Sequence, residues 1–507
     1  MKTYRVLAAF GFAVLACASV WLGGLNQDEG WYLYAARLVA EGRMPYRDFF
    51  FTQGPVMPMV YSAFSAVWGR WGLLGARILT LSVGTMGILL AAGLARRLVP
   101  EGRRPLASLL VLLLLGSNLY HLYYLTIPKA YALAALFSVA GFYLLSFEGA
   151  AFAFAAGLSL AFAAGTRISL GVLLAVVGVA LLARSGRLRW LWFGLGGAAG
   201  LAVVYGPFVA FAWPGLVAAQ KYHAGRGGFD IVFTVGSLSR LVRWYLPVFV
   251  LLAAGLFLRR SDDGSGARRA SFGAWLLLAG FAAVFAVQIL APFPYEDYQV
   301  PVMWMPAVAA VARVAGDPAR DWKGLALVTL FMTWTLSFGS PLLEKWMVNG
   351  QDRFWSLKKA KPELAQLRDV ARRINEMDPG GGSLLTQDLY LAIETGRKVP
   401  DGLEMGPFSY WGDSVPSGVP ALDDSGMRRL LEGAPCEIAA MSGYAFAITV
   451  PGCFETPIER QIGFWRILTE RYDLVFKEDG FGQNSTPLMV LRRKKGAAGN
   501  AGAMEEE

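Results

Sequence analysis

The 507-residue chain is 55% hydrophobic and only 17% charged, with a mean hydropathy of +0.44, a balance that excludes an ordinary soluble globular protein. Its net charge of +10 would suit nucleic acid, but the Arg and Lys residues cluster in short loops between apolar runs, as cytoplasmic loops of membrane proteins do. Three Cys and two His give no basis for a Cys/His metal cluster, and no nucleic-acid partner is expected.

In chain order, the first element is "MKTYRVLAAFGFAVLACASVWLGG". Lys2 and Arg5 ahead of an apolar core could mark a cleaved signal peptide, and "VLAC" ending at Cys17 loosely resembles a lipoprotein processing site. The segment's length and the many apolar runs that follow favour an uncleaved first transmembrane helix. Either reading puts Asp28 outside the cytoplasm.

Crossing a bilayer core of about 30 Å takes roughly 20 helical residues. Apolar segments of approximately that kind fall at 5–22, 73–95, 105–119, 128–146, 149–165, 168–184, 190–212, 241–258, 272–291, 299–313 and 323–340. They predict a polytopic α-helical membrane protein of about eleven spans. With Lys2 and Arg5 inside, every dense basic cluster falls on the same side: Arg96, Arg97, Arg103 and Arg104; Arg184, Arg187 and Arg189; Arg259, Arg260, Arg268 and Arg269; Arg313, Arg320 and Lys323. Segment 55–69 is apolar too, but counting it as a span would move Arg96 and Arg97 outside. Pro55 and Pro58 suit an interfacial helix instead. Residues 23–72 therefore read as one large external loop of interfacial helices, with Trp31, Tyr32, Tyr34, Tyr46 and Phe49 to Phe51 expected at headgroup depth.

Beyond about residue 341 charge, Gly and Pro rise, and an odd number of spans puts this part outside the cytoplasm. The division expected is a membrane domain over 1–340, an extracytoplasmic α/β domain over 341–495 and a disordered tail over 496–507. "PELAQLRDVARRINEM" and "IERQIGFWRILTERY" are helical in pattern, while "SLLTQD", "DLVFKED" and "PLMVLRRK" are strand-like. Cys436 and Cys453 could pair in an oxidising compartment or stay as two thiols.

Few ionisable groups lie on the outer side. Asp28 and Glu29 follow the first span directly. A carboxylate at a membrane edge is partly desolvated, which raises its basicity and suits a general base for a sugar or lipid hydroxyl. The competing role is structural: Asp28 as helix cap and Glu29 as complement to the helix dipole. Asp48, in "YRDFF", is a second acid of the loop and could serve a turn. Arg77, Lys129 and Arg167 sit where helices meet the outer face; cations at that depth suit a lipid phosphate, or snorkel to ordinary headgroups. "APFPYEDYQVP" brings Glu296 and Asp297 between Tyr295 and Tyr298, a polar aromatic rim fit for sugar or headgroup contact, or for an aromatic belt. The Gly-rich "QKYHAGRGGFD", with Lys221, His223 and Arg226, is a weaker phosphate-cradle candidate because no strand precedes it.

A first helix followed by "DEGWYLYAARLVAEGRMPYRDF…GP", then "LTIPKAYALAALF", "GTRISLGVLL" and "YEDYQVPVMWMPAVAA" in that order, resembles the GT-C superfamily of membrane glycosyltransferases. The branches most alike are the protein O-mannosyltransferases of glycosyltransferase family 39 and the lipid A aminoarabinose transferases. The resemblance covers roughly the first 340 residues and is most specific from Asn26 to Pro55. It implies an inverting hexosyl- or pentosyltransferase at the non-cytoplasmic face of a bacterial-type inner membrane, using a polyprenyl-phosphate sugar donor and a glycan, lipid or protein acceptor. It also implies that Asp28 is the general base with Glu29 in support, that Arg167 and Lys129 meet the departing phosphate, and that Tyr298 lines the donor site. Asp48, Arg77 and Glu296 join these as substrate-binding candidates. No cofactor is required, with a divalent cation near Asp28 as the alternative. Two departures bear on donor identity: Gln53-Gly54-Pro55 where the aminoarabinose transferases carry a Lys before the Pro, and Thr126-Ile127-Pro128-Lys129 where they carry an acid. The rivals are an oligosaccharide ligase or polymerase of similar topology, an envelope scaffold, and a transporter or flippase. A transporter would place charges inside its spans, and here those interiors are nearly all apolar.

Overall fold

The structure, a computed structural model, describes residues 2–184, 187–224, 230–257, 265–291, 293–315, 323–339, 361–413, 415–449 and 455–495. Among the described residues, each of the apolar segments read from the sequence is mainly helical. Three helices, Ser65–Arg97, Leu188–Phe211 and Phe272–Ile289, are long and apolar enough to cross a bilayer by themselves. Three further segments are pairs of helices bent at a short break: Ala8–Leu22 with Gln27–Ala40 by 86°, Glu101–Gly116 with Leu119–Thr126 by 75°, and Ile231–Trp244 with Leu246–Phe257 by 78°. Shorter apolar helices complete the set, among them Ala130–Leu145 and Ala150–Thr166. Large apolar side chains such as Phe10, Leu89, Phe211, Phe257 and Phe331 point outward from these helices. An apolar exterior on an apolar bundle is the surface a lipid solvent requires, and the chain is a polytopic membrane protein.

The bends place the site. The first helix ends at Leu22, and Gly23 lets the chain turn where a side chain could not fit: a Cβ there would lie 2.3 Å from the Ser19 carbonyl oxygen. Asn26 caps the next helix, accepting from the Asp28 amide at 3.1 Å, while Glu29 reaches back to the Asn26 amide at 2.8 Å. This is a capping box, so the capping role that competes for Asp28 belongs to Asn26. The second bend is capped likewise by Asn118, which accepts from the His121 amide at 3.1 Å. Gly72 has a φ of 61° and breaks Ser65–Arg97 into a short first part and a long second part. Gly72 is also the last residue of the external loop expected over 23–72.

Residues 361–495 form an α/β unit. Its four-stranded sheet has the order β1-β2-β4-β3, with β1 (Leu384–Leu385) parallel to β2 (Ile438–Ser442) and β3 (Tyr472–Phe481) and β4 (Thr486–Arg493) antiparallel. The helices Glu363–Met377 and Ile458–Arg471 and strands β1, β3 and β4 match the sequence reading. Strand β2 was not anticipated. Every residue of it is buried, so it lacks the alternation by which a strand is recognised. Cys436 is buried, and burial pushes its thiol up to about 12; Cys453 lies outside the described residues, as do 225–229 of the Gly-rich loop.

The headgroup position expected for the loop aromatics is corrected. Trp31, Tyr32, Tyr34, Tyr46 and Phe49 to Phe51 are all buried, in one core with residues of the α/β unit such as Leu389, Tyr390 and Trp411. The reason is a second layer that covers them. The Tyr34 hydroxyl accepts from the Val399 amide at 2.9 Å, Arg37 donates to the carbonyls of Gly396 and Arg397, and Lys398 pairs with Glu41 at 2.8 Å. Helix Gln27–Ala40 meets the unit backbone to backbone at Gly30, where a Cβ would lie 2.3 Å from the Tyr390 amide nitrogen. Gly30→Val is therefore expected to destabilise the protein by about 1–3 kcal/mol through overpacking. A lower melting temperature of the detergent-purified protein reports it; an unchanged one contradicts the close approach.

Candidate active site

Four chain segments end on one cavity of about 960 Å³. Asp28 comes from the first turn of Gln27–Ala40. Lys129, in extended backbone after Pro128, precedes Ala130–Leu145, and Arg167 follows Ala150–Thr166 in extended backbone. Glu296, Asp297 and Tyr298 open the 3₁₀ turn Glu296–Val302. Phe408, Tyr444, Ile448, Thr449 and Gln483 of the α/β unit close the cavity from the other side. Gln483 also accepts from the Gln27 amide at 2.8 Å, tying this wall to the turn that carries Asp28.

At the floor, Lys129 Nζ lies 2.8 Å from Asp28 Oδ2 and 3.0 Å from Asp297 Oδ2. Tyr131 donates to Asp297 Oδ2 at 2.9 Å, and Trp31 Nε1 donates to Asp28 Oδ1 at 3.1 Å. The Asp28 side chain keeps 27% of its surface exposed, toward the cavity. Arg167 stands beside this group with its guanidinium carbon 4.6 Å from the Tyr131 ring and 4.8 Å from the Tyr298 ring. Such stacking holds a guanidinium in place while leaving its charge available. Among the described residues no carboxylate forms an ion pair with Arg167. At one flank Arg240 pairs with Glu296 at 3.2 Å, and Ser237 donates to the same oxygen at 3.3 Å. Ile168, Val232 and Val287 line the cavity and are also exposed on the apolar exterior, Val232 by 80%. The cavity thus combines a polar floor with an apolar edge that opens toward the lipid-facing surface.

Five of the candidates from the sequence, Asp28, Lys129, Arg167, Glu296 and Tyr298, line this cavity. Three do not. Glu29 and Arg77 are both wholly buried, 0% exposed, and form a two-point pair at 2.7 Å on each arm. Arg77 gives its remaining donors to the carbonyls of Val20, Gly23 and Gly24 at 2.9–3.0 Å, the open end of the first helix. A cation with all five N–H groups engaged has nothing left for a substrate. Asp48 also lies away from the cavity. It takes both Arg47 contacts, at 2.7 and 2.9 Å, and the Met44 amide at 2.6 Å, closing the turn of "MPYRD". The Arg47 hydrogen bonds hold its carboxyl below the usual range.

Trp31, Tyr131 and Arg240 also line the cavity without being marked as site residues in the sequence, where Asp297 is marked only as part of a rim. Asp297 carried a signal, since it stands beside Glu296 in an outer loop. Trp31 and Tyr131 carried none, because an aromatic near a span end reads equally well as belt or core.

No family model and no curated relative matches the sequence. Among solved structures, ArnT from Cupriavidus metallidurans in the apo state superposes with a TM-score of 0.64, at 15% identity, over 98% of this chain and 99% of that one. The same protein bound to undecaprenyl phosphate gives a TM-score of 0.63 at the same identity and coverage. An oligosaccharyltransferase from Archaeoglobus fulgidus gives 0.49 at 14% identity, covering 92% of this chain and 72% of that one. The chain shares its fold with ArnT from Cupriavidus metallidurans over nearly the whole of both chains.

The two adjacent acids are expected to differ sharply in what they hold. Glu29→Gln or Arg77→Met breaks a buried ion pair and is expected to cost about 3–5 kcal/mol. Asp28→Asn is expected to shift the melting temperature much less. Equal thermal shifts for Glu29→Gln and Asp28→Asn would contradict this division.

Proposed function

We propose that the chain transfers a sugar from a polyprenyl-phosphate donor to a hydroxyl of an envelope glycan, lipid or protein, with inversion at the anomeric carbon. The observation that carries the reading is the pairing, in one cavity, of a partly exposed carboxylate, Asp28, with a stacked guanidinium, Arg167, that no described carboxylate pairs with. The apolar edge at Ile168, Val232 and Val287 suits a prenyl chain reaching the cavity from the bilayer. The shared fold with ArnT, whose structure holds undecaprenyl phosphate, supports the same donor class.

In this reading the acceptor hydroxyl attacks the anomeric carbon while Asp28 takes its proton. The bond from that carbon to the phosphate oxygen breaks, and the electron pair leaves with the lipid phosphate. The charge that develops on the phosphate falls to Arg167, whose fork matches phosphate oxygens at two points. Lys129, shared between two carboxylates, acts chiefly on Asp28. Eleven membrane spans with the basic clusters inside would put this chemistry on the non-cytoplasmic face of a bacterial-type inner membrane. The α/β unit would then form the acceptor-facing wall through Phe408, Tyr444 and Thr449.

The test is transfer in membranes from a panel of polyprenyl-phosphate sugars. Asp28→Asn is expected to lower the rate by at least about a hundredfold, the scale of a general-base loss. Arg167→Gln is expected to lower kcat by a similar factor of about 10²–10³. Full activity of folded Asp28→Asn would refute the assignment of the base.

A further inference from the structure

Asp28 and Asp297 face one another across a single cation that belongs to the chain. The ammonium of Lys129 sits 2.8 Å from one carboxylate and 3.0 Å from the other, and its side chain is 9% exposed. Three of the four carboxylate oxygens already accept from the chain: Asp28 Oδ2 from Lys129, Asp28 Oδ1 from Trp31, and Asp297 Oδ2 from both Lys129 and Tyr131. Two acids held this way are where a divalent cation near Asp28 would have to bind.

With the ammonium of Lys129 between them, the two acids do not fit such an ion. Hard divalent cations take about six to eight oxygen ligands at roughly 2.0–2.6 Å. Among the described residues no group of three or more His, Cys, Asp or Glu is placed to share one. The third nearby acid of the cavity, Glu296, is engaged by Arg240 and Ser237. An incoming metal would also stand within about 4 Å of a fixed ammonium, a strong repulsion at any dielectric found inside a protein.

We propose that Lys129 is a resident cation that holds the position a divalent metal would take between Asp28 and Asp297, so that the protein aims its base without a metal. The proposal rests on the reading of Asp28 as base. It also gives that base a physical advantage. A divalent ion would neutralise both carboxylates and draw electron density from Asp28. One ammonium between two carboxylates leaves the trio with one net negative charge, which the proton arriving from the acceptor cancels. The lysine is covalently held, so the arrangement cannot be stripped by a chelator. Lys129 acts here through Asp28 and is a positioning residue.

The experiment uses the full chain, freed of metal with EDTA and reconstituted in nanodiscs, with Mn²⁺ binding followed by electron paramagnetic resonance. The wild type is expected to take up no Mn²⁺ at this site, so Asp28→Asn changes nothing in its Mn²⁺ titration. Lys129→Met, and Lys129→Gln as a second variant that keeps a polar side chain, remove the ammonium and are expected to gain a Mn²⁺ site that the wild type lacks, held by Asp28, Asp297 and water. Transfer by the wild type is expected to stay within about twofold after EDTA treatment, on the scale of a factor that leaves the barrier untouched. Stoichiometric Mn²⁺ binding by the wild type that Asp28→Asn abolishes would overturn the proposal, as would folded Lys129 variants that gain no binding. The Mn²⁺ titrations need no sugar donor, so they decide this point even where no donor in the panel is transferred.

Discussion

The geometry of the site hangs on Arg77. Its five N–H groups satisfy Glu29 and the three carbonyls at the end of the first helix. Those carbonyls are exposed by the 86° bend, and unsatisfied they would each carry a desolvation cost in a buried place. A planar, permanently charged fork is the side chain able to meet a carboxylate and several carbonyls at once. Glu29 serves at both ends of this arrangement, since it also completes the capping box with Asn26. The bend is thereby locked, and the residue one step before Glu29 is left facing the cavity. Adjacent acids on a helix point about 100° apart. That single-residue offset lets one carboxylate hold the corner while its neighbour remains open for chemistry.

The same economy recurs across the cavity. Asn118 caps the second bend and carries the chain toward Lys129, and the α/β unit then bears on Gln27–Ala40 through Gly30, Tyr34 and Arg37. Glu394 reaches the Leu73 amide at 2.9 Å, next to the Gly72 break, so the unit also grips the top of the long helix Ser65–Arg97. Burying aromatic side chains such as Phe49 to Phe51 between two layers gives this contact its strength, at roughly 25 cal/mol per Å² of apolar surface removed from water. A side chain placed on such a rigid corner loses little freedom when a ligand binds.

Much of this was legible in the sequence because length, hydropathy and charge parity act over whole segments. The helical segments, and the placing of Asp28, Lys129, Arg167 and Tyr298 in or beside the turns between them, follow from those terms. What was not legible depends on partners distant in the chain. Trp31 and Phe49 to Phe51 look alike whether they meet headgroups or a covering domain, and only tertiary packing separates the two. Glu29 and Arg77 are 48 residues apart, and their spacing carries no sign that they meet. Asp48 has the composition of a site acid, yet its neighbour Arg47 consumes it. Strand β2 is hidden for the opposite reason: it is buried on both faces and so carries no alternating pattern.

The central claim is that Asp28 and Arg167 face the reacting centre while Glu29 and Arg77 hold it in place. A cryo-EM structure of the full chain with a polyprenyl phosphate tests this most directly. The phosphate is expected to lie within hydrogen-bond reach of the Arg167 guanidinium, with Asp28 facing it across the cavity and Arg77 still bonded to Glu29. A phosphate seated on Arg77, or bound away from Arg167, would contradict it.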